Sequence, residues 1–369
     1  MNMPGNSSPD SVLSRIEYID LLSIPGITEK EITTLLNQFP APDQIFNADI
    51  KKLTRVGIKP RLARAITGFK RSDDLKRRID TIIEMGTQIL IIGDTLYPNW
   101  IRDWTFPPPI LFCLGRIKDE DQDSVGIIGT RRSNSYGRMV AEHFSNELAR
   151  AGLTIVSGLA RGVDTVAHRA ALKVGGRTVA FLGCGIDIYY PKENQRLYHE
   201  IAESGAVFSE FPPGTPPWKK NFIKRNRLIP AFSRAIIAIE APQKSGVLNT
   251  VKWTVEMGKD VMAVPGNIFS PKSKGINQLI KDGAIPVTEP EDVLNLLKIP
   301  SLKESLEEVE FSEAEKKVVD HIEAEPKYLD EIALATGLTP ARLAPILFSL
   351  QIKRIIRQLP GGFYVRTGR

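Results

Sequence analysis

The chain has 369 residues, 42% hydrophobic and 25% charged, with Lys and Arg exceeding Asp and Glu by six. That is an ordinary globular composition with room for two or three domains, and the absence of any run of eighteen apolar residues argues against a membrane span. The only cysteines are Cys113 and Cys184, and the four histidines are scattered, so the sequence carries neither a disulfide framework nor a metal signature and fits a reducing cytoplasm. The opening MNMPGNSSPDS lacks the charged and apolar regions of a signal peptide.

The positive charge is unevenly placed. Residues 124–297 hold 22 Lys and Arg against 15 Asp and Glu, whereas 298–369 hold 11 of each. Within the basic part, Phe211 to Ile239 contains Lys219, Lys220, Lys224, Arg225, Arg227 and Arg234 and no acid.

In chain order, residues 1–74 read as a small helical domain. Two similar stretches, LLSIPGITEKEITTLL and LTRVGIKPRLARAI, are each helix, a turn around Gly26 or Gly57, then helix. This resembles the helix-hairpin-helix unit of SAM-like modules. A phosphate-holding hairpin and a plain interaction bundle both satisfy it.

Residues 75–297 alternate helix and strand, the pattern of a doubly wound, mostly parallel sheet. After a helix and the strand TQILIIG, the run Pro107-Pro108-Pro109 must be extended. Trp100, Trp104 and Phe106 there either pack on the sheet or form a stacking platform for bases. The centre is 124–168. Val125, Ile127 and Ile128 form a buried strand closed by Gly129; a helix runs from about Tyr136 to Ala151; a second strand, Leu153 to Val156, stops at Ser157-Gly158; a second helix starts near Gly162, with Asp164 available to cap it. Further strands are expected at 177–183, 206–210, 234–240, 260–266 and before 287.

Ligands of open parallel sheets bind outside the carboxyl ends of the strands. At those ends lie Gly129-Thr130-Arg131-Arg132-Ser133, then Ser157-Gly158-Leu159-Ala160-Arg161, and later Ser245-Gly246 before a helix. Small residues admit a ligand to the backbone, helix N-termini favour anions and arginines fork onto phosphates. The segment Lys219-x-x-Phe222-x-x-Arg225-Asn226-Arg227 interleaves cations with a ring, as a single strand requires. Phe222 as a buried core residue in a solvated basic loop satisfies the same pattern. Asp164 and His168, four apart, share a helix face and are either structural or catalytic.

Residues 298–311 read as an acidic linker. Residues 312–369 carry three helical patterns and two strands around Pro360-Gly361-Gly362, a winged helix. Its third helical pattern, the recognition helix of a winged helix, starts at Pro340 and offers only Arg342 near its start for base readout, so DNA contact and protein contact are both open.

The glycine loops are not a dinucleotide fingerprint: the second strand ends in Ser157 where an acid belongs, and the P-loop pattern is absent. Instead GTRRSNSYG, SGLARGVDTVAH, GCGIDIYYP, SEFPPG, FIKRNRLI, EAPQKSG, AVPG and GINQLIKDGA, in this order over 88–297, resemble the DNA-processing protein A family (DprA, also called Smf). The resemblance implies an extended Rossmann-like fold flanked by the helical and winged-helix domains. It implies a non-enzymatic homodimer without cofactor that binds single-stranded DNA irrespective of sequence, and duplex more weakly. It further implies protection of incoming DNA and loading of the RecA recombinase during natural transformation or general recombination. By motif position, Arg131, Lys219, Phe222, Arg225 and Arg227 would line the DNA site, with Ser157, Gly158 and Arg161 shaping it; Lys220, Lys224, Asn226, Ser245 and Gly246 complete the expected set. The family's usual GSR is GTR here, and its SGSLITA is Ser245-Gly246-Val247-Leu248-Asn249-Thr250-Val251, which leaves contacts from that loop open. The competing reading is a nucleotide-processing enzyme of the related phosphoribohydrolase-like superfamily, whose PGGxGTxxE loop this chain lacks.

Overall fold

The computed structural model describes residues 15–102, 104, 106–299, 312–322, 326–352, 355–359 and 362–366. They belong to two compact units that divide at 302/303. Most of the acidic linker therefore lies outside the described residues.

The first unit begins with helices Ile16–Ser23, Glu29–Gln38, Pro42–Phe46, Ile50–Arg55 and Pro60–Thr67. Their starts are written locally: Thr28 and Glu31 form a capping box, the Asp49 carboxylate accepts from the Lys52 amide, and Pro60 opens the last helix. Each repeated pair turns at a glycine in the left-handed region, Gly26 (φ 82°) and Gly57 (φ 95°). The apolar faces (Ile19, Leu35, Leu53, Ile66) do not close on themselves alone. They form one core with Ile89, Ile110 and Phe112 at the edge of the sheet. Helix Asp73–Glu84 spans the expected boundary at 74 and leads into that sheet.

The sheet has nine strands. These are β1 (Gln88–Ile91), β2 (Ile110–Gly115), β3 (Ser124–Ile128), β4 (Thr154–Ser157), β5 (Thr178–Phe181), β6 (Ala206–Ser209), β7 (Ala235–Ala238), β8 (Asp260–Ala263) and β9 (Ile285–Pro286), in the order β1-β2-β6-β5-β4-β3-β7-β8-β9. From β6 to β9 all neighbours are parallel; β1–β2 and β2–β6 are antiparallel. The chain winds outward from β3 in one direction and from β7 in the other, so the switch point lies between β3 and β7. Val125, Ile127, Ala235 and Ile237 pack on Phe144 and Leu148 of helix Ser135–Arg150 and on Ala167 and Ala171 of helix Val163–Lys173. The other face buries Val156, Phe181, Phe208, Phe232 and Ile236.

Two features differ from the sequence reading. β2 (ILFCLG) is not assigned as a strand there, where its segment is read only as extended chain at the three prolines. The segment treated as a basic loop is two short helices, Lys219–Arg225 and Leu228–Phe232. Trp100 and Trp104 take the packing role: Trp100 meets Phe232 edge-on at 5.4 Å and Trp104 meets Trp253 at 6.0 Å.

The second unit holds helices Glu313–Val319, Leu329–Thr336 and Pro340–Ile352 with a sheet β10 (Lys327–Tyr328), β12 (Phe363–Arg366), β11 (Ile356–Leu359), a winged helix closed on Val318, Ile332, Leu343 and Leu347. The sequence reading finds two of the three strands; β10 is two residues long and has no pattern to detect. Among the described residues, no single helix is long and apolar enough to cross a membrane.

Candidate nucleic-acid interface

A cavity of about 400 Å³ opens at the switch point, lined by residues that follow β3 (Gly129–Arg132), β4 (Ala160, Asp164) and β7 (Pro242, Lys244–Gly246) and by the face of helix Lys219–Arg225 that carries Lys219, Phe222, Ile223 and Asn226. This is where an open parallel sheet leaves its strand ends unfilled.

The loop after β3 is held by its neighbours. The Thr130 amide donates to the Glu240 carbonyl at 2.7 Å, the Asn134 amide to the Glu240 carboxylate at 3.1 Å, and Asn134 in turn caps helix Ser135–Arg150 through the Gly137 amide at 2.8 Å. Arg131 and Arg132 stay exposed. The Arg131 guanidinium lies over the Phe222 ring at 4.8 Å, so its charge faces the opening on a fixed apolar support.

The turn after β4 is built from the inside. Ser157 is fully buried and its hydroxyl donates to the Ile127 carbonyl at 2.6 Å, locking β4 to β3. A Cβ on Gly158 would fall 2.1 Å from the Arg225 guanidinium, so glycine is what lets that cation pass. Asp164 does not cap the helix it sits in, whose N-cap is Gly162; its carboxylate accepts from the Gly158 and Ala160 amides at 3.2 and 3.4 Å and holds the preceding turn. Burial raises the Asp164 pKa, against the pull of Arg225 and these amides. His168 bonds Thr178 Oγ1 at 2.7 Å. Because that hydroxyl donates to the Ile155 carbonyl, His168 Nδ1 must be the donor. Burial pushes its pKa down to about 3. The Asp164/His168 pair is thus two separate structural anchors.

The basic helix is divided by its faces. Lys219 and Lys220 are exposed, Lys220 over the Trp218 ring at 5.0 Å. Arg225 is only 3% exposed, donates to the Phe181 carbonyl, and has its pKa lowered to about 10 by desolvation. Arg227, 4% exposed, pairs with Glu210 and with Glu29 of the N-terminal helices, both at 2.6 Å, and stacks on Trp104 at 5.3 Å. Lys224 reaches the same two carboxylates at 2.9 and 3.1 Å. Burial lifts the Glu210 pKa to about 7 with Glu29 pushing the same way, against the two cations. Arg161, expected to shape the site, is ion-paired with Glu193. Of the thirteen expected residues, the cavity therefore gathers Arg131, Lys219, Phe222, Arg225, Asn226, Ser245 and Gly246. Ser157, Gly158, Lys224 and Arg227 are committed beneath it or beside it, and Lys220 lies outside the lining, over the Trp218 ring.

At the far wall, the Val247 amide donates to Ser245 Oγ at 3.3 Å and opens helix Val247–Glu256, while Asn226 Nδ2 donates to the Gly246 carbonyl at 3.4 Å. Lys244, exposed and on the lining, is absent from the expected set. Its signal was the EAPQKSG motif, in which only the small residues were weighted.

The family model for DNA recombination-mediator protein A matches residues 88–298. The chain belongs to that family. The DprA winged-helix model matches 303–362 and a SAM-like helix-hairpin-helix tandem matches 18–67. Protein Smf of Escherichia coli is 33% identical over 95% of this chain and 96% of its own length. The X-ray structure of DprA from Streptococcus pneumoniae superposes with a TM-score of 0.66 at 32% identity, covering 76% of this chain and 96% of that one. DprA from Helicobacter pylori, whose structure was described for its single-stranded DNA binding mode, superposes with a TM-score of 0.51 at 31% identity over 57% of this chain and 95% of its own.

Proposed function

We propose that this protein binds single-stranded DNA, irrespective of sequence, in the cleft at the β3/β7 switch point. In this reading it is a cytoplasmic, homodimeric mediator that protects incoming DNA and loads the RecA recombinase, in natural transformation or general recombination. The observation that carries the binding step is the pairing of exposed Arg131 with exposed Lys219 across a cavity whose floor is Phe222 and whose far wall is a helix start. Phosphates of a single strand would meet Arg131, Arg132, Lys219 and Lys244. Arg225 acts from behind: it fixes the β4 turn and the Phe222 ring, which lies 5.9 Å from its guanidinium. The single-strand binding of the Helicobacter pylori relative and the recombination-mediator family support this reading; dimerisation and RecA loading rest on the family alone.

Catalysis has less support. Asp164, the carboxylate in the lining, already accepts two backbone amides, and His168 is sealed beneath the sheet edge. The test is a titration of labelled oligo-dT and a matched duplex at several salt concentrations, with mononucleotides assayed for turnover in parallel. Tighter binding of oligo-dT with a steep salt slope and no turnover is expected. Equal binding of duplex, or release of a base from a mononucleotide, would overturn the proposal.

A further inference from the structure

Beside the cleft, on the other side of the start of helix Lys219–Arg225, lies a second and larger cavity of about 660 Å³. It is lined by Leu22, Pro25, Phe69 and Lys70 of the N-terminal helices and by Pro212 and Trp218 of the core, among others. The two cavities meet in the sequence: Trp218 borders this groove and Lys219 borders the cleft, one peptide apart.

The groove is a built feature. Arg78 of helix Asp73–Glu84 crosses it to Asp187, Nη1 to Oδ2 at 2.9 Å, and Asp187 also accepts from the Gly214 amide at 2.7 Å. A Cβ at Gly214 would sit 2.3 Å from Arg78 Nε, so the loop is glycine where the cation passes. Asp74, the carboxylate on the rim, is taken up by Arg78 at 2.8 Å and by Arg77. Lys70 is exposed on the lining, and Lys220, outside it, is exposed beside Trp218. Trp218 is 53% exposed, an unusual cost for the largest apolar side chain, and Lys220 Nζ stands 5.0 Å from its ring.

An exposed indole beside a lysine, in a groove walled by prolines and a phenylalanine, has the chemistry of a base-stacking step. The size lies within that of ordinary ligand sites. We infer that this groove is a second single-strand subsite, in which the DNA leaving the cleft stacks a base on Trp218 and passes phosphates by Lys220 and Lys70. The inference rests on the cleft being the first subsite. It gives the N-terminal helices a direct part in binding, since they supply one wall.

The test compares oligo-dT of about six and about twenty nucleotides on the full chain, short enough and long enough to fill one subsite or both. Trp218→Ala should leave the melting temperature and the six-nucleotide affinity unchanged and weaken the twenty-nucleotide affinity roughly 5- to 150-fold. Trp218→Phe should keep most of that affinity. Lys220→Ala with Lys70→Ala should flatten the salt slope for the longer strand by about 1.4, and not for the shorter. Wild-type affinity of Trp218→Ala for both lengths would overturn the groove while leaving the cleft intact. Failure of the wild type to bind either length would overturn the cleft and the groove together.

Discussion

Two sets of cations lie within a few residues of one another and do different work. At the cleft, Arg131, Arg132, Lys219 and Lys244 are exposed, without a carboxylate in the lining to neutralise them other than the buried Asp164. At the seam with the N-terminal helices, Lys224 and Arg227 share Glu29 and Glu210, and Arg225 is sealed against a carbonyl. Charge in the sequence is the same in both sets. Burial and pairing together decide which is available to a polyanion. Arg225 and Arg227 are buried and Lys224, though exposed, is held by two carboxylates, so their charge is spent on the fold. The exposed cations that are unpaired within the described residues keep theirs for phosphate.

The comparison breaks most visibly at Arg227. Arg227→Ala leaves the buried Glu210 and the half-buried Glu29 facing Lys224 alone, and should cost about 3 kcal/mol of stability in denaturant unfolding. If the variant kept its stability and lost oligo-dT affinity, Arg227 would belong with the cleft set. Phe222 lies between the sets. It is 8% exposed, under Arg131 and 5.3 Å from Tyr190, so Phe222→Ala should lower stability by about 3 kcal/mol and weaken DNA binding through loss of the support for Arg131. Unchanged melting with a loss of affinity would make it a stacking surface alone.

The anchors beneath the cleft sharpen the contrast from the acid side. His168, with a pKa near 3 when folded and an ordinary value of 6.5, binds its proton only in the unfolded chain across that window. Its contribution to stability is therefore complete above 6.5 and is lost as pH falls towards 3. Between pH 7 and pH 5 the wild type should lose roughly 2 kcal/mol more than His168→Gln. Parallel pH profiles of the two proteins would show that His168 is charged or exposed.

Much of this was legible in the residues. The order of strands and helices from 124 to 287 follows from apolar runs broken by glycine, and the small and basic residues of the strand-end loops mark the cleft in the sequence. What a linear pattern does not carry is which way a helix faces. Lys219, Lys224, Arg225 and Arg227 look equivalent in sequence, and only the packing of Lys219–Arg225 against Gly158, Glu210 and Glu29 separates them. Glu29 lies 198 residues from Arg227, so no local reading could have paired them. Asp164 and His168 share a helix, yet one serves the turn before it and the other the strand beside it. Lys244 was overlooked because a lone lysine in a loop carries no signal until the β7 crossover brings it to Arg131.

The central claim is that the exposed, unpaired cations, and not the buried or ion-paired ones, read the phosphates. The most direct measurement is the slope of log affinity for oligo-dT against log salt for the wild type and for Arg131→Ala/Lys219→Ala/Lys244→Ala, with melting recorded on both. Three phosphate contacts removed should flatten the slope by about 2 and weaken binding to every sequence alike, with melting little changed because all three are exposed and the fold loses only the contact of Arg131 with the Phe222 ring. A triple variant with the wild-type slope and affinity would contradict it.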